Sequence, residues 1–130
     1  MGLLTEANVI SIIDDDASVR LAVDGLVRSF GYSSRTFESA EEFLEYGAEG
    51  TSYLVCDVQL PGRNGIELYR ELRRRGYRIP IIFITAYPDE AMRKRAELAG
   101  ATAFFGKPFD SVVLIDHVAK ANHQDQSSAT

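Results

Sequence analysis

An α/β fold, five βα units on a doubly wound parallel sheet, is predicted by three features of this sequence. Short apolar runs alternate with segments of helical period along the 130 residues, the pattern of parallel strands joined by crossover helices. Two of the runs, 53–56 and 81–84, are apolar throughout rather than alternating, as strands covered on both faces are. Four runs end in a chemically useful side chain: 9–13 in Asp14, Asp15 and Asp16, 53–56 in Asp57, 81–84 in Thr85, and 103–106 in Lys107 and Pro108. Open parallel sheets bind ligands outside the carboxyl ends of their strands, so these termini are expected to converge on one site.

The elements follow in order. After the acidic turn, Val19, Ala22, Val23, Leu26, Val27 and Phe30 recur at helical spacing, a first amphipathic helix closed by Gly31 as its C′ residue. Residues 33–37 form a short second strand, less apolar and so placed near a sheet edge. Ser39 with Glu42 reads as a capping box for a second helix, whose apolar face carries Phe43 and Leu44. The third strand, 53–57, runs into the Pro/Gly loop 60–65, and Ile66, Tyr69 and Leu72 then mark a third helix ending at Gly76. Residues 79–85 give the strongest strand signal and a central position for the fourth strand. Pro88 is expected in the first turn of a fourth helix, with Asp89 and Glu90 near its positive end and Gly100 closing it. A fifth strand at about 102–105 precedes a last helix, capped by Asp110 or Ser111 and bearing Val112, Leu114, Ile115 and Val118.

Size and charge narrow the function classes. The length suits one domain, placed at 1–121, with the small polar residues 122–130 as a flexible tail or the start of a linker. A net charge of −5 argues against direct nucleic-acid binding, which needs a basic face. The single cysteine, Cys56, excludes an internal disulfide framework and suits the cytoplasm. No apolar stretch nears the ~20 residues of a membrane span. The N-terminus lacks a signal peptide's basic region, and Glu6 stands where a myristoylation motif at Met1-Gly2 needs Ser or Thr.

The strand-end residues specify the chemistry. Asp14, Asp15 and Asp57 at one sheet edge repel each other unless a cation neutralises them, and Mg²⁺ takes such carboxylates together with phosphate oxygens, Mn²⁺ being a second candidate. Asp16 lies further into the turn and suits helix capping. Asp57 is placed to be a nucleophile that forms an aspartyl-phosphate. The Thr85 hydroxyl can donate to a phosphoryl oxygen, and Lys107 supplies a compact positive charge. Pro108 biases Lys107 towards an extended backbone, and a cis peptide is expected between them. Cys56 faces away from Asp57 and reads as core. Arg70, Arg73, Arg74, Arg75 and Arg78 read as a solvated turn favoured by the helix dipole. His117 and His123 end no strand and are not read as phosphorelay residues.

Four segments taken together, 13–20 (IleAspAspAspAlaSerValArg), 56–68 (CysAspValGlnLeuProGlyArgAsnGlyIleGluLeu), 84–86 (IleThrAla) and 104–109 (PhePheGlyLysProPhe), resemble the receiver domain of two-component response regulators, and most closely its FixJ-type subgroup. The likeness runs from about Val9 to Ala121. It implies a flavodoxin-like sheet of strand order 2-1-3-4-5 and a signalling switch rather than an enzyme, catalysing at most its own phosphorylation and dephosphorylation. It implies Asp57 as phosphoacceptor, Mg²⁺ on Asp14, Asp15, Asp57 and the backbone carbonyl of Gln59, and Lys107 paired with the phosphoryl group. Thr85 and Phe104 would be the switch pair, Phe104 departing from the more common Tyr. The donor would be a histidine of a sensor kinase or a phosphotransfer protein. The face of helix four, strand five and helix five would bind a partner or a second copy. Gln59 and Tyr87 stand where family members vary in phosphate lifetime, and a bulky Tyr87 is expected to slow hydrolysis by screening water. A rival resemblance is to haloacid-dehalogenase-like phosphohydrolases, with Asp14 as nucleophile, Asp16 as acid/base, and Thr85 and Lys107 in the later motifs. It lacks a second acidic pair for the metal and leaves Asp57 without a role. An inert docking scaffold would not need the acidic, Thr and Lys set.

Overall fold

The computed structural model describes residues 9–128, so Met1-Gly2 and Glu6 lie outside the described residues, as do 129 and 130. The chain alternates β1 (Val9–Ile13), α1 (Ala17–Ser29), β2 (Ser33–Phe37), α2 (Ala40–Tyr46), β3 (Tyr53–Asp57), α3 (Gly65–Arg74), β4 (Ile81–Thr85), α4 (Glu90–Ala99), β5 (Ala103–Gly106) and α5 (Ser111–Ser128). All pairings are parallel and the strand order is β2-β1-β3-β4-β5. Ile13 lies across from Phe37 and Cys56, Asp57 across from Ile84, and Thr85 across from Gly106. That register brings the carboxyl ends of β1, β3, β4 and β5 level within about one residue step.

Alternation along each strand divides the core between the two faces. Ile13, Leu54, Cys56, Phe83 and Phe104 pack with Phe43 of α2, Ile66, Tyr69 and Leu72 of α3 and Ala96 of α4. Ile10, Ile12, Val55, Ile82 and Ile84 pack with Val23 and Val27 of α1 and Leu114, Ile115 and Val118 of α5. Strands β3 and β4 are buried at every position, while β2 at the edge alternates with exposed residues. Tyr69 crosses Phe83 edge-on at 6.1 Å and ties its hydroxyl to the Ile79 carbonyl, which anchors α3 below the amino end of β4.

Local expectations shift in physically informative ways. Ser39 accepts from the Glu42 amide as predicted, but the Glu42 carboxylate takes the Glu38 amide, one residue further back. The reciprocal box forms instead at α3, between Asn64 and Glu67. Pro88 precedes the cap of α4 rather than entering its first turn, because the Asp89 carboxylate accepts from the Met92 amide. Strand β4 starts at Ile81, since Pro80 has no amide to give a ladder. Strand β5 is one residue later than expected, at Ala103–Gly106. Phe30, assigned to the apolar face of α1, is exposed at the helix end. Asp110 rather than Ser111 begins α5, accepting from the Val112 amide. The backbone of α5 stays helical past Ala121, through much of the stretch read as a tail. The Lys107–Pro108 peptide is cis.

Phe43 is fully buried and meets Phe37 edge-on at 5.2 Å. Phe43→Ala is expected to lower unfolding free energy by about 3–5 kcal/mol in chemical denaturation, whereas Val112→Ala, on an exposed part of α5, stays within about 0.5 kcal/mol.

Candidate functional site

Strand ends at level register deliver the predicted residues to one place. A carboxylate oxygen from each of Asp14, Asp15 and Asp57 lies within 4.8 Å of the other two. Asp14 and Asp57 are buried and Asp15 is exposed at the mouth. Lys107 Nζ bridges the buried pair, 2.9 Å from Asp14 Oδ2 and 3.1 Å from Asp57 Oδ2. The loops aim these groups. Asp14 Oδ1 accepts from the Asp16 amide at 2.9 Å, and Asp57 Oδ1 accepts from the Gln59 amide at 3.0 Å. The Lys107 amide donates to the Thr85 carbonyl at 2.7 Å, holding the end of β5 against β4. Buried Thr85 Oγ1 accepts from the Tyr87 amide and lies 3.4 Å from Gln59 Oε1.

The electrostatics follow from this crowding. Burial, and then the Asp14 charge, push the Asp57 carboxyl above its ordinary value of 3.8, although the Gln59 amide and Lys107 pull it down. Burial alone would lower the Lys107 ammonium, yet its close pairing with the Asp14 and Asp57 carboxylates holds it above its usual range. Asp14 Oδ2 completes no hydrogen bond of good geometry, so the ammonium answers it by charge alone. Three carboxylates with spare lone pairs, one of them buried and orphaned, are a donor set that fits a hard divalent cation.

Other residues named from the sequence are used differently. Asp16 caps α1 through the Ser18 amide and hydroxyl, and those bonds hold its carboxyl below the ordinary range. Phe104 is buried, with the Arg93 guanidinium 5.2 Å above its ring. Cys56 is fully buried on the other side of β3 from the cluster, and burial raises its thiol well above 9.0. Arg74 and Arg75 pair with Glu71, and Arg73 lies over Tyr69 at 5.5 Å. His117 packs edge-on to Phe105, and the His123 side chain lies outside the described residues. Sequence reasoning gave Gly65 no part in the site. A Cβ there would stand 2.5 Å from the Asp57 carbonyl oxygen, so only glycine lets α3 start so close behind Asp57. The glycine that ends the Pro/Gly loop after Asp57, where a helix begins, is the signal that would have found it.

A five-stranded parallel sheet of this order, with an acidic pocket at its carboxyl edge and the lysine that follows β5 across it, has the architecture of a receiver of phosphoryl signals. Residues 10–119 match the response regulator receiver domain, and the chain belongs to that family. Such domains are regulatory phosphoacceptors of two-component systems rather than enzymes in the usual sense, a class consistent with a phosphorylation-dependent switch. It is 40% identical over 126 residues to nodulation protein W of Bradyrhizobium diazoefficiens, covering 94% of this chain and 56% of that protein. It is 33% identical to the transcriptional regulatory protein FixJ of Rhizobium meliloti, over 87% of this chain and 56% of that one. The solved structure of FixJ-N superposes with a TM-score of 0.80 at 33% identity, covering 89% of this chain and 94% of that one. The chain thus spans about half the length of the curated relatives it matches. The phosphohydrolase alternative has no support, and its acid/base, Asp16, is spent as a helix cap.

A carboxyl raised by the fold holds more protons folded than unfolded, so its ionisation costs stability as pH rises from about 3.8 through the raised value. Asp57→Asn is therefore expected to raise the thermal midpoint of the metal-free protein at pH 7, by about 2–8 °C for each ~1 kcal/mol relieved. The gap between variant and wild type should close below about pH 4, as scanning calorimetry across pH will report.

Proposed function

We propose that Asp57 accepts a phosphoryl group from a histidine of a sensor kinase or phosphotransfer protein in the cytoplasm, with Mg²⁺, or Mn²⁺ in its place, held by Asp14, Asp15, Asp57 and the Gln59 backbone carbonyl. The observation that carries this reading is the acidic cluster with Lys107 across it. An Asp57 carboxylate oxygen attacks phosphorus in line, the P–N bond to the donor imidazole breaks, and its electron pair stays on that nitrogen, which takes up a proton. The divalent cation would offset charge on the equatorial phosphoryl oxygens. The Gln59 amide on Oδ1 and Lys107 on Oδ2 hold the carboxylate in one orientation, which lowers the entropy cost of reaching the transition state. Lys107, kept charged by its two partners, then faces the new dianion.

The transferred group is read by Thr85 and Phe104. The Thr85 hydroxyl has no strong acceptor, since its contact with Gln59 Oε1 is 3.4 Å long, so a phosphoryl oxygen on Asp57 can draw it over. Phe104, on β5 directly across from Phe83, fills the space behind and alters the face of α4, β5 and α5, where Leu98 and Val112 are exposed. That face would carry partner binding or dimerisation. The domain is taken as 1–121, with 122–130 as a flexible tail or the start of a linker. Among the described residues no helix is long and apolar enough to cross a membrane.

Incubation with acetyl phosphate and Mg²⁺ is expected to give one phosphoryl adduct by intact mass, absent without the metal and absent in Asp57→Asn. An adduct that persists in Asp57→Asn but is lost in Asp14→Asn would overturn the assignment. Tyr87, exposed beside Thr85, is expected to shield the acyl phosphate. Tyr87→Ala should shorten the phosphoryl half-life by about three- to tenfold, equivalent to ~1 kcal/mol of barrier, as followed by loss of the adduct with time.

A further inference from the structure

Asp14 is held at its amide, its carbonyl and its Oδ1, and the hold on the carbonyl comes from a side chain outside the acidic cluster. The strand ladder ends at Ile13, paired with Phe37 on one side and Cys56 on the other. Beyond it the Asp14 amide still donates to the Phe37 carbonyl at 3.1 Å, but the Asp14 carbonyl has no strand to accept from. Arg20, half-buried on α1 and six residues along the chain, folds back and donates Nη1 to that carbonyl at 2.6 Å. The bond is short, as charge-assisted bonds are. Among the described residues Arg20 makes no ion pair, so its guanidinium is spent on a backbone oxygen and leaves the carboxylate lone pairs free.

We propose that Arg20 is a positioning residue for the divalent-cation site. It rests on the reading that Asp14, Asp15 and Asp57 hold Mg²⁺. The peptide unit is planar, so fixing the Asp14 carbonyl oxygen also fixes the orientation of the Asp15 amide that shares its plane. One bond therefore sets the direction in which two consecutive ligand residues leave the end of β1. The Asp16 amide on Asp14 Oδ1 then sets the side chain, and the Asp16 carboxylate anchors the same turn to α1 through Ser18. Such outer partners of metal ligands are worth about 10–100-fold in metal affinity. A guanidinium acting merely as a nearby positive charge would do the opposite, because removing it would strengthen cation binding.

The two roles thus predict opposite signs. Isothermal titration with Mg²⁺ at fixed ionic strength compares wild type, Arg20→Ala, Arg20→Lys and Arg28→Ala, with the thermal midpoint of each variant. Arg20→Ala is expected to weaken Mg²⁺ binding by about tenfold or more. Arg20→Lys, which retains one charged donor, should recover part of the loss. Arg28→Ala removes the same charge from the same helix and should bind as wild type does. Affinity unchanged or raised in Arg20→Ala overturns the proposal, as does a lowered thermal midpoint with unchanged affinity, which would make Arg20 structural alone. Absence of saturable Mg²⁺ binding in wild type overturns instead the metal reading on which the proposal stands.

Discussion

Two carboxylates buried side by side are the constraint around which this molecule is arranged. Asp14 and Asp57 are almost wholly removed from water, and the Asp14 charge raises the cost of ionising Asp57. Neutral apolar residues in their places would relieve that cost. The fold tolerates it because Lys107 reaches between them from a strand two positions away from that of Asp57. The ammonium is one charge against two, so the pocket retains an excess of negative charge and one oxygen without a hydrogen-bond donor. That residual demand suits a hard divalent cation, whose charge and open coordination positions would answer it.

Everything nearby restricts how the pocket can relax. β3 and β4 are apolar on both faces and cannot slide without exposing their core side chains. The start of α3 is pressed against the Asp57 carbonyl at Gly65, whose amide also donates to the Val58 carbonyl at 2.8 Å. Pro88 fills the space beside Gly106, where a Cβ would lie 2.9 Å from its ring. Beside this packed floor lie the Thr85 hydroxyl, the Gln59 side chain and the exposed Tyr87 ring, with Arg93 over the buried Phe104 ring.

The strands and the site were legible in the sequence for the same reason. In a parallel sheet the ladder residues are apolar because both faces are covered, so a polar residue at the end of a run marks the carboxyl edge. Asp14, Asp57, Thr85 and Lys107 all stand at such positions, and the structure brings them together. The helix starts were harder, because neighbouring polar residues compete for one terminal amide. Asp89 outcompeted the geometry that would have put Pro88 inside α4, and Glu42 took the amide of Glu38 instead of that of Ser39. The Asn64–Glu67 box passed unnoticed inside a loop read for its Pro and Gly. Phe30 continued the apolar period of α1 but lies where the helix leaves the core. The bond from Arg20 to a backbone carbonyl has no spacing rule, since every residue offers the same acceptor.

Cys56 sits next to Asp57 in the chain, yet the pleat sends its sulfur into the opposite layer, where a Cβ on Gly65 would approach it to 3.1 Å. Burial holds the thiol protonated, and thiolate is the form that oxidants and electrophiles attack. The residue joined to Asp57 by a peptide bond is thereby kept in its unreactive thiol form. While the fold is intact, peroxide and disulfide exchange find no exposed thiolate beside Asp57.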